Sequence, residues 1–177
     1  MFNPFKRTYT QDEQEYFDFL GKNKLFEQLT KKEMSYFLPY LHLRKYQKNE
    51  VVFFRNDPSQ ALYIIKSGEI GLKLDVKDRF ETIMTIQTPI TLGNNALLKN
   101  AHRIYNAIVI SNQASLYVIP QVNILGIFER FPEIKAKMLE SLAEIYYDNF
   151  NNLFISYQAT HGFFELEEMF RLSSFGC

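Results

Sequence analysis

Between Leu43 and Ile119 the chain breaks into short segments rich in Val, Ile, Tyr, Phe and Thr, separated by Gln47-Lys48-Asn49, Asn56-Asp57-Pro58-Ser59 and Ser67-Gly68. Segments of this length, punctuated at this spacing by turn-forming residues, build antiparallel sheets that pack on one another. Ile70, Leu72, Leu74 and Val76 alternate with Glu69, Gly71, Lys73 and Asp75. After a turn at Lys77-Asp78-Arg79, Phe80, Thr82, Met84 and Ile86 alternate again, which predicts a hairpin with one buried face. The region therefore reads as a jelly roll or a similar sandwich.

Helical patterns flank this core. Thr10 with Glu13 and Thr30 with Glu33 are capping boxes, in which side chains satisfy the first free N–H groups of a helix. They predict two short helices, each burying an aromatic face. The first carries Tyr16, Phe17, Phe19 and Leu20 and stops at Gly21; the second carries Met34, Phe37, Leu38 and Leu41 and is kinked or ended by Pro39. Beyond Pro120 a short helix is expected over roughly 121–128, then a long one from Pro132 to about Tyr157. Its residues Ile134, Met138, Leu142, Ile145 and Leu153 form one apolar stripe, with Leu139, Ala143, Tyr146, Phe150 and Tyr157 beside it. So wide a stripe is available for a homodimer.

Composition narrows the function. The 177 residues contain 46% hydrophobic side chains, which fits one domain with a sizeable core: N-terminal helices over 1–42, a β-roll over 43–120 and C-terminal helices over 121–177. Twenty basic and twenty acidic residues cancel, so no whole-chain field draws nucleic acid or an anionic membrane. Seven basic residues against Glu27 and Glu33 between Lys22 and Lys48 read as a solvated surface. The single cysteine, Cys177, fits a reducing, cytoplasmic setting and excludes a cysteine-built metal site. The uncharged stretch from Ile104 to Phe128 is interrupted by Asn106, Asn112, Gln113, Pro120 and Asn123, so no membrane span is expected. His42, His102 and His161 stand apart from other ligand types, and no nucleophile elbow or P-loop occurs. Neither a catalytic nor a metal site is predicted; the expectation is a protein that is not an enzyme and needs no cofactor.

One constellation carries chemistry. In Leu92-Gly93-Asn94-Asn95-Ala96-Leu97, Gly93 permits a tight turn into a short helix whose N–H groups can face an anion. Arg103, followed by Ile104 and Tyr105, can return to pair with that anion bidentately.

With this cassette, Asn49-Glu50-Val51-Val52-Phe53-Phe54-Arg55-Asn56-Asp57 and Ala61-Leu62-Tyr63-Ile64-Ile65-Lys66-Ser67-Gly68-Glu69 complete a pattern that resembles the cyclic nucleotide-binding domain family. The resemblance runs from Phe26 to the middle of the long helix. It implies a double-stranded β-helix with flanking helices, a signalling role, and cAMP or cGMP as ligand. In the family a glutamate accepts a hydrogen bond from the ribose 2′-hydroxyl and an arginine pairs with the cyclic phosphate. Here the arginine position is Arg103 and the glutamate position is Asn94. A neutral acceptor there forfeits about 1–2 kcal/mol of charge-assisted bonding, roughly ten- to thirty-fold in affinity. Tyr105 stands where a small residue is expected, its ring either filling the ribose or base space or running along the strand. The resemblance also leaves open a β-roll without a nucleotide, serving as an interaction or dimerisation module. Transcription regulators of the family carry a DNA-reading domain after the long helix. The twenty residues from Gln158 to Cys177, with net charge minus two, do not supply one, and no DNA partner is expected.

Overall fold

The computed structural model describes residues 8–77 and 79–161. Two compact units divide the chain after Ser141.

The first unit holds eight strands in two four-stranded antiparallel sheets. The strands are β1 His42–Gln47, β2 Val51–Phe53, β3 Ala61–Ser67, β4 Glu69–Val76, β5 Arg79–Gln87, β6 Thr91–Leu92, β7 Asn106–Val109 and β8 Gln113–Pro120. One sheet has the order β1-β8-β3-β6 and the other β2-β7-β4-β5. Alternation decides what each strand buries. Along β3, Ala61, Tyr63 and Ile65 point into a core shared with Phe53, Ile70, Ile86, Leu92, Ala107, Val109, Leu116 and Val118. The intervening Leu62 and Ile64 are also fully buried, so this strand is covered on both faces. On β8, Tyr117 meets the rings of Tyr16 and Phe19 edge-on at 5.7 and 5.4 Å.

The capping boxes form as predicted. Thr10 caps α1, Gln11–Leu20, which buries Phe17 and Leu20 and stops where the Gly21 N–H meets the Phe17 carbonyl. Thr30 caps α2, Lys31–Met34. That helix is a single turn, shorter than the sequence implied. A separate 3₁₀ turn, Leu38–Tyr40, follows with Pro39 inside it, because proline lacks the N–H an α-helix needs there. Asn49 and Asn56 take the left-handed backbone at φ 70° and 67°, a conformation asparagine tolerates better than most residues.

The hairpin of β4 and β5 forms, but its predicted buried face does not run its length. Leu72 pairs with Met84 and Lys73 with Thr82, which leaves Ile83 as a bulge. The surplus residue reverses the facing, so Phe80, opposite Asp75, shares a face with Lys73 while Met84 stays with Leu72. Of β5 only Ile86 is buried.

Helix α3 is Gln121–Arg130, two residues longer than expected, and α4 is Pro132–His161. Within the first unit, α4 buries Ile134, Met138 and Ser141, and Lys137 reaches both carboxylate oxygens of Glu33 at 2.7 and 2.9 Å. The second unit, taken by itself, continues α4 and exposes Tyr146, Tyr147, Phe150, Leu153 and Ile155. Among the described residues no helix is long and apolar enough to cross a membrane.

Candidate functional site

Gly93 opens the cassette. Its backbone is left-handed, φ 72°, and a Cβ there would stand 2.1 Å from Arg103 Nη1. Glycine is therefore required twice, for the dihedral and for the guanidinium that lies against it. The 3₁₀ turn Asn94–Leu97 follows, with no side-chain cap, and buries Ala96 and Leu97. Leu92 on β6 is buried beneath it.

Arg103 folds inward. It is only 3% exposed, and its guanidinium lies 4.2 Å from the centroid of Phe53 and 5.6 Å from that of Tyr63. Nη2 donates to the Ala61 carbonyl at 2.6 Å, and Nη1 donates to the Gly93 carbonyl and to Asn95 Oδ1, both at 3.2 Å. All three acceptors are neutral, and no carboxylate among the described residues forms an ion pair with it. Burial pulls the guanidinium below its ordinary pKa, while Tyr63, Tyr105 and Asp57 pull it back up. Nε is buried without a partner, and so is Asn94 Oδ1. Asn95 serves the cassette's frame. Its Oδ1 also accepts from Ser59 Oγ at 2.8 Å, and its amide nitrogen bonds the His102 carbonyl.

Of the two directions open to Tyr105, its ring takes the inward one. It packs on the core 5.9 Å from Phe53. Burial raises its hydroxyl pKa, opposed by a backbone hydrogen bond with Gly93 and by the Arg103 charge. Ile104 is 70% exposed, so it does not join the other predicted site residues. The structure thus gathers Leu92, Gly93, Asn94, Asn95, Ala96, Leu97, Arg103 and Tyr105 around the turn that follows β6. It adds Phe53, Ala61 and Tyr63, which the sequence reading did not place there. The only sequence signal for them was the pair of β-rich segments that contain them. Beside Arg103 a cleft of about 290 Å³ runs along Val51–Phe54 to Asp57 and Tyr63. Among the described residues no cluster of three metal-ligating side chains occurs.

The family model for the cyclic nucleotide-binding domain matches residues 43–131, half of the chain. This chain belongs to that family. A protein of Rhodopseudomonas palustris whose name calls it a potassium channel protein is 28% identical to this cyclic nucleotide-binding domain over 114 residues, 64% of the chain and 27% of its own length. The cyclic AMP receptor protein of Thermus thermophilus is 24% identical over 120 residues, 67% of the chain and 55% of its own length. The regulatory domain of Toxoplasma gondii PKA, solved with cAMP, superposes with a TM-score of 0.61 at 19% identity, over 68% of the chain and 46% of that structure. The domain thus spans between about a quarter and about half of these relatives, and the structural likeness shows the shared β-roll fold.

Proposed function

We propose that this domain is a non-catalytic regulatory module that takes a cyclic nucleotide or another phosphate-bearing ligand at the cassette, with Arg103 as the anion's partner. One observation carries the reading: Arg103 Nε, a buried donor, has no partner, and neither has Asn94 Oδ1, a buried acceptor on the turn that follows Gly93, whose carbonyl accepts from Arg103 Nη1. Native proteins leave few such groups unpaired, and a ligand carrying both an anion and a hydroxyl completes the two at once. Titration calorimetry with cAMP and with cGMP tests it. Saturable micromolar binding, lost in Arg103→Ala with the fold intact by circular dichroism, is the expected result. Silence with both nucleotides and with a panel of phosphate compounds in thermal shift overturns it.

A second reading has its own support. Tyr105 occupies space at the cassette, and Tyr146, Phe150, Leu153 and Tyr157 on α4 recur at spacings of four, three and four, the seam of paired helices. In that reading the β-roll does without ligand and acts as an interaction module through a homodimer of α4.

A further inference from the structure

A second cleft, of about 280 Å³, lies between α1 and the sheet β1-β8-β3-β6, lined by Asp12, Glu15, Tyr16, Phe19, Lys66 and Tyr117. The sequence pattern builds it. Asp12, Glu15, Tyr16 and Phe19 fall at i, i+3, i+4 and i+7 of α1 and so share one face of that helix. On β8, Leu116 and Val118 belong to the core of the roll, so Tyr117 between them faces the opposite way, where it meets Tyr16 and Phe19. On β3 the register steps from Ile65, opposite Leu116, to Ser67, opposite Ser115, which leaves Lys66 as a bulge. A bulge re-aims its side chain, and Lys66 Nζ lies 5.3 Å from the centroid of Tyr117.

The walls of this cleft suit a positive charge. Tyr16 and Phe19 stand at 72° and 64° to Tyr117, so the three rings enclose space rather than stack, and ring faces attract cations. Two carboxylates, Asp12 and Glu15, share the cleft with one ammonium. All three charges are exposed, and among the described residues none of them forms an ion pair. Asp12 lies in the first turn of α1 and offsets the partial positive charge of that helix end, so Glu15 carries the net attraction. The chain's own ammonium thus marks one ring as a cation position and leaves the carboxylates without a counter-charge. A quaternary ammonium suits such a space better than a second primary amine, because it has no N–H in need of an acceptor and meets rings on several sides. We propose that this cleft binds a small organic cation bearing a trimethylammonium group, with Tyr16, Phe19 and Tyr117 around its methyl groups, Glu15 supplying the opposing charge and Lys66 acting as a tethered competitor.

Titration calorimetry of the full chain with choline, and with its neutral carbon isostere in which a tert-butyl group replaces the trimethylammonium, tests this. Choline is expected to bind saturably and at least about tenfold more tightly than the isostere, each ring contributing a few-fold. Lys66→Gln tightens choline by about threefold or more, because it removes the competing charge, and Glu15→Gln weakens it by about as much. Tyr16→Leu, at a half-buried position, removes one wall and weakens choline by about threefold or more with an unchanged circular dichroism spectrum. Flotation with phosphatidylcholine vesicles separates the two sources of the group: comigration lost in Tyr16→Leu identifies a lipid headgroup, and choline binding without comigration identifies a free cation. Equal binding of choline and the isostere reduces the cleft to an apolar slot and overturns the proposal. So does choline binding that Tyr16→Leu and Lys66→Gln leave unchanged, or silence from the parent and from Lys66→Gln alike. None of these outcomes bears on the cassette, which shares no residue with this cleft.

Discussion

Arg103→Met keeps an unbranched side chain of similar volume and removes the guanidinium with every donor. The Ala61 carbonyl then loses its charged partner, and the Gly93 carbonyl, which keeps the Ala96 N–H at 2.9 Å, loses its second, charge-assisted bond; a hydrogen bond to a charged group is worth about 1.5–3 kcal/mol. The stacking on Phe53 adds about 1 kcal/mol. The opposing effect is real: a buried cation with no counter-anion is expensive to desolvate, and an apolar side chain of similar size returns about 3 kcal/mol. With about 2 kcal/mol for each of the two charge-assisted bonds and about 1 kcal/mol for the stacking, the loss exceeds the return by about 2 kcal/mol. For a chain of this size that is a fall in Tm of about 4–8 °C. Urea unfolding measures it as a lower midpoint with an unchanged m value, the sign that stability rather than compactness has changed. A variant as stable as the parent refutes the reasoning. It means the Ala61 carbonyl finds another partner, the Ala96 N–H suffices for the Gly93 carbonyl, and Arg103 contributes nothing to the fold that offsets its burial.

Three further outcomes are expected. Burial alone would raise the Glu33 carboxyl, but hydrogen bonds from Lys137 and from Thr30 hold it below its ordinary value of 4.5. The stability it contributes is complete above that pH and lost as the pH falls through the lower folded value, so thermal melts between pH 6 and pH 3 show a loss that Glu33→Gln lacks. Tyr105→Ser gives up the contact with Phe53 and ring burial, costing about 1–3 kcal/mol in urea unfolding; by emptying space at the cassette it strengthens nucleotide binding at least several-fold by calorimetry. On α4, Leu153→Lys abolishes a concentration-dependent dimer in sedimentation velocity, whereas a parent chain that stays monomeric at every concentration removes the dimer reading.

Features set by neighbours in sequence were legible. Thr10 with Glu13 and Thr30 with Glu33 announce their helix starts because both halves of a capping box lie within one turn. The strand alternation through Ile70 and Leu72, and the turn at Gly93, are local in the same sense. What the sequence hid depends on partners that only the tertiary fold supplies. The bulge at Ile83 arises from how β4 and β5 register, and it sends Phe80 to the opposite face from Met84 although both lie on one side of the sequence pattern. Arg103 was legible as a cation of the cassette, but its partners were not, since Ala61 offers a backbone carbonyl that no side-chain pattern encodes. Tyr105 had two directions open to it, and the ring of Phe53 marks the one taken.

The bonds of Arg103 reach 8, 10 and 42 residues along the chain, to Asn95, Gly93 and Ala61. The longest of these closes only after β3 and the cassette turn have come together, when much of the entropy of loop closure has already been lost. An interaction made after the folding barrier leaves the rate of folding alone and slows the reverse step. Arg103 is in this respect expected to be a late fastener: Arg103→Met unfolds faster in stopped-flow urea jumps while folding at the parent's rate.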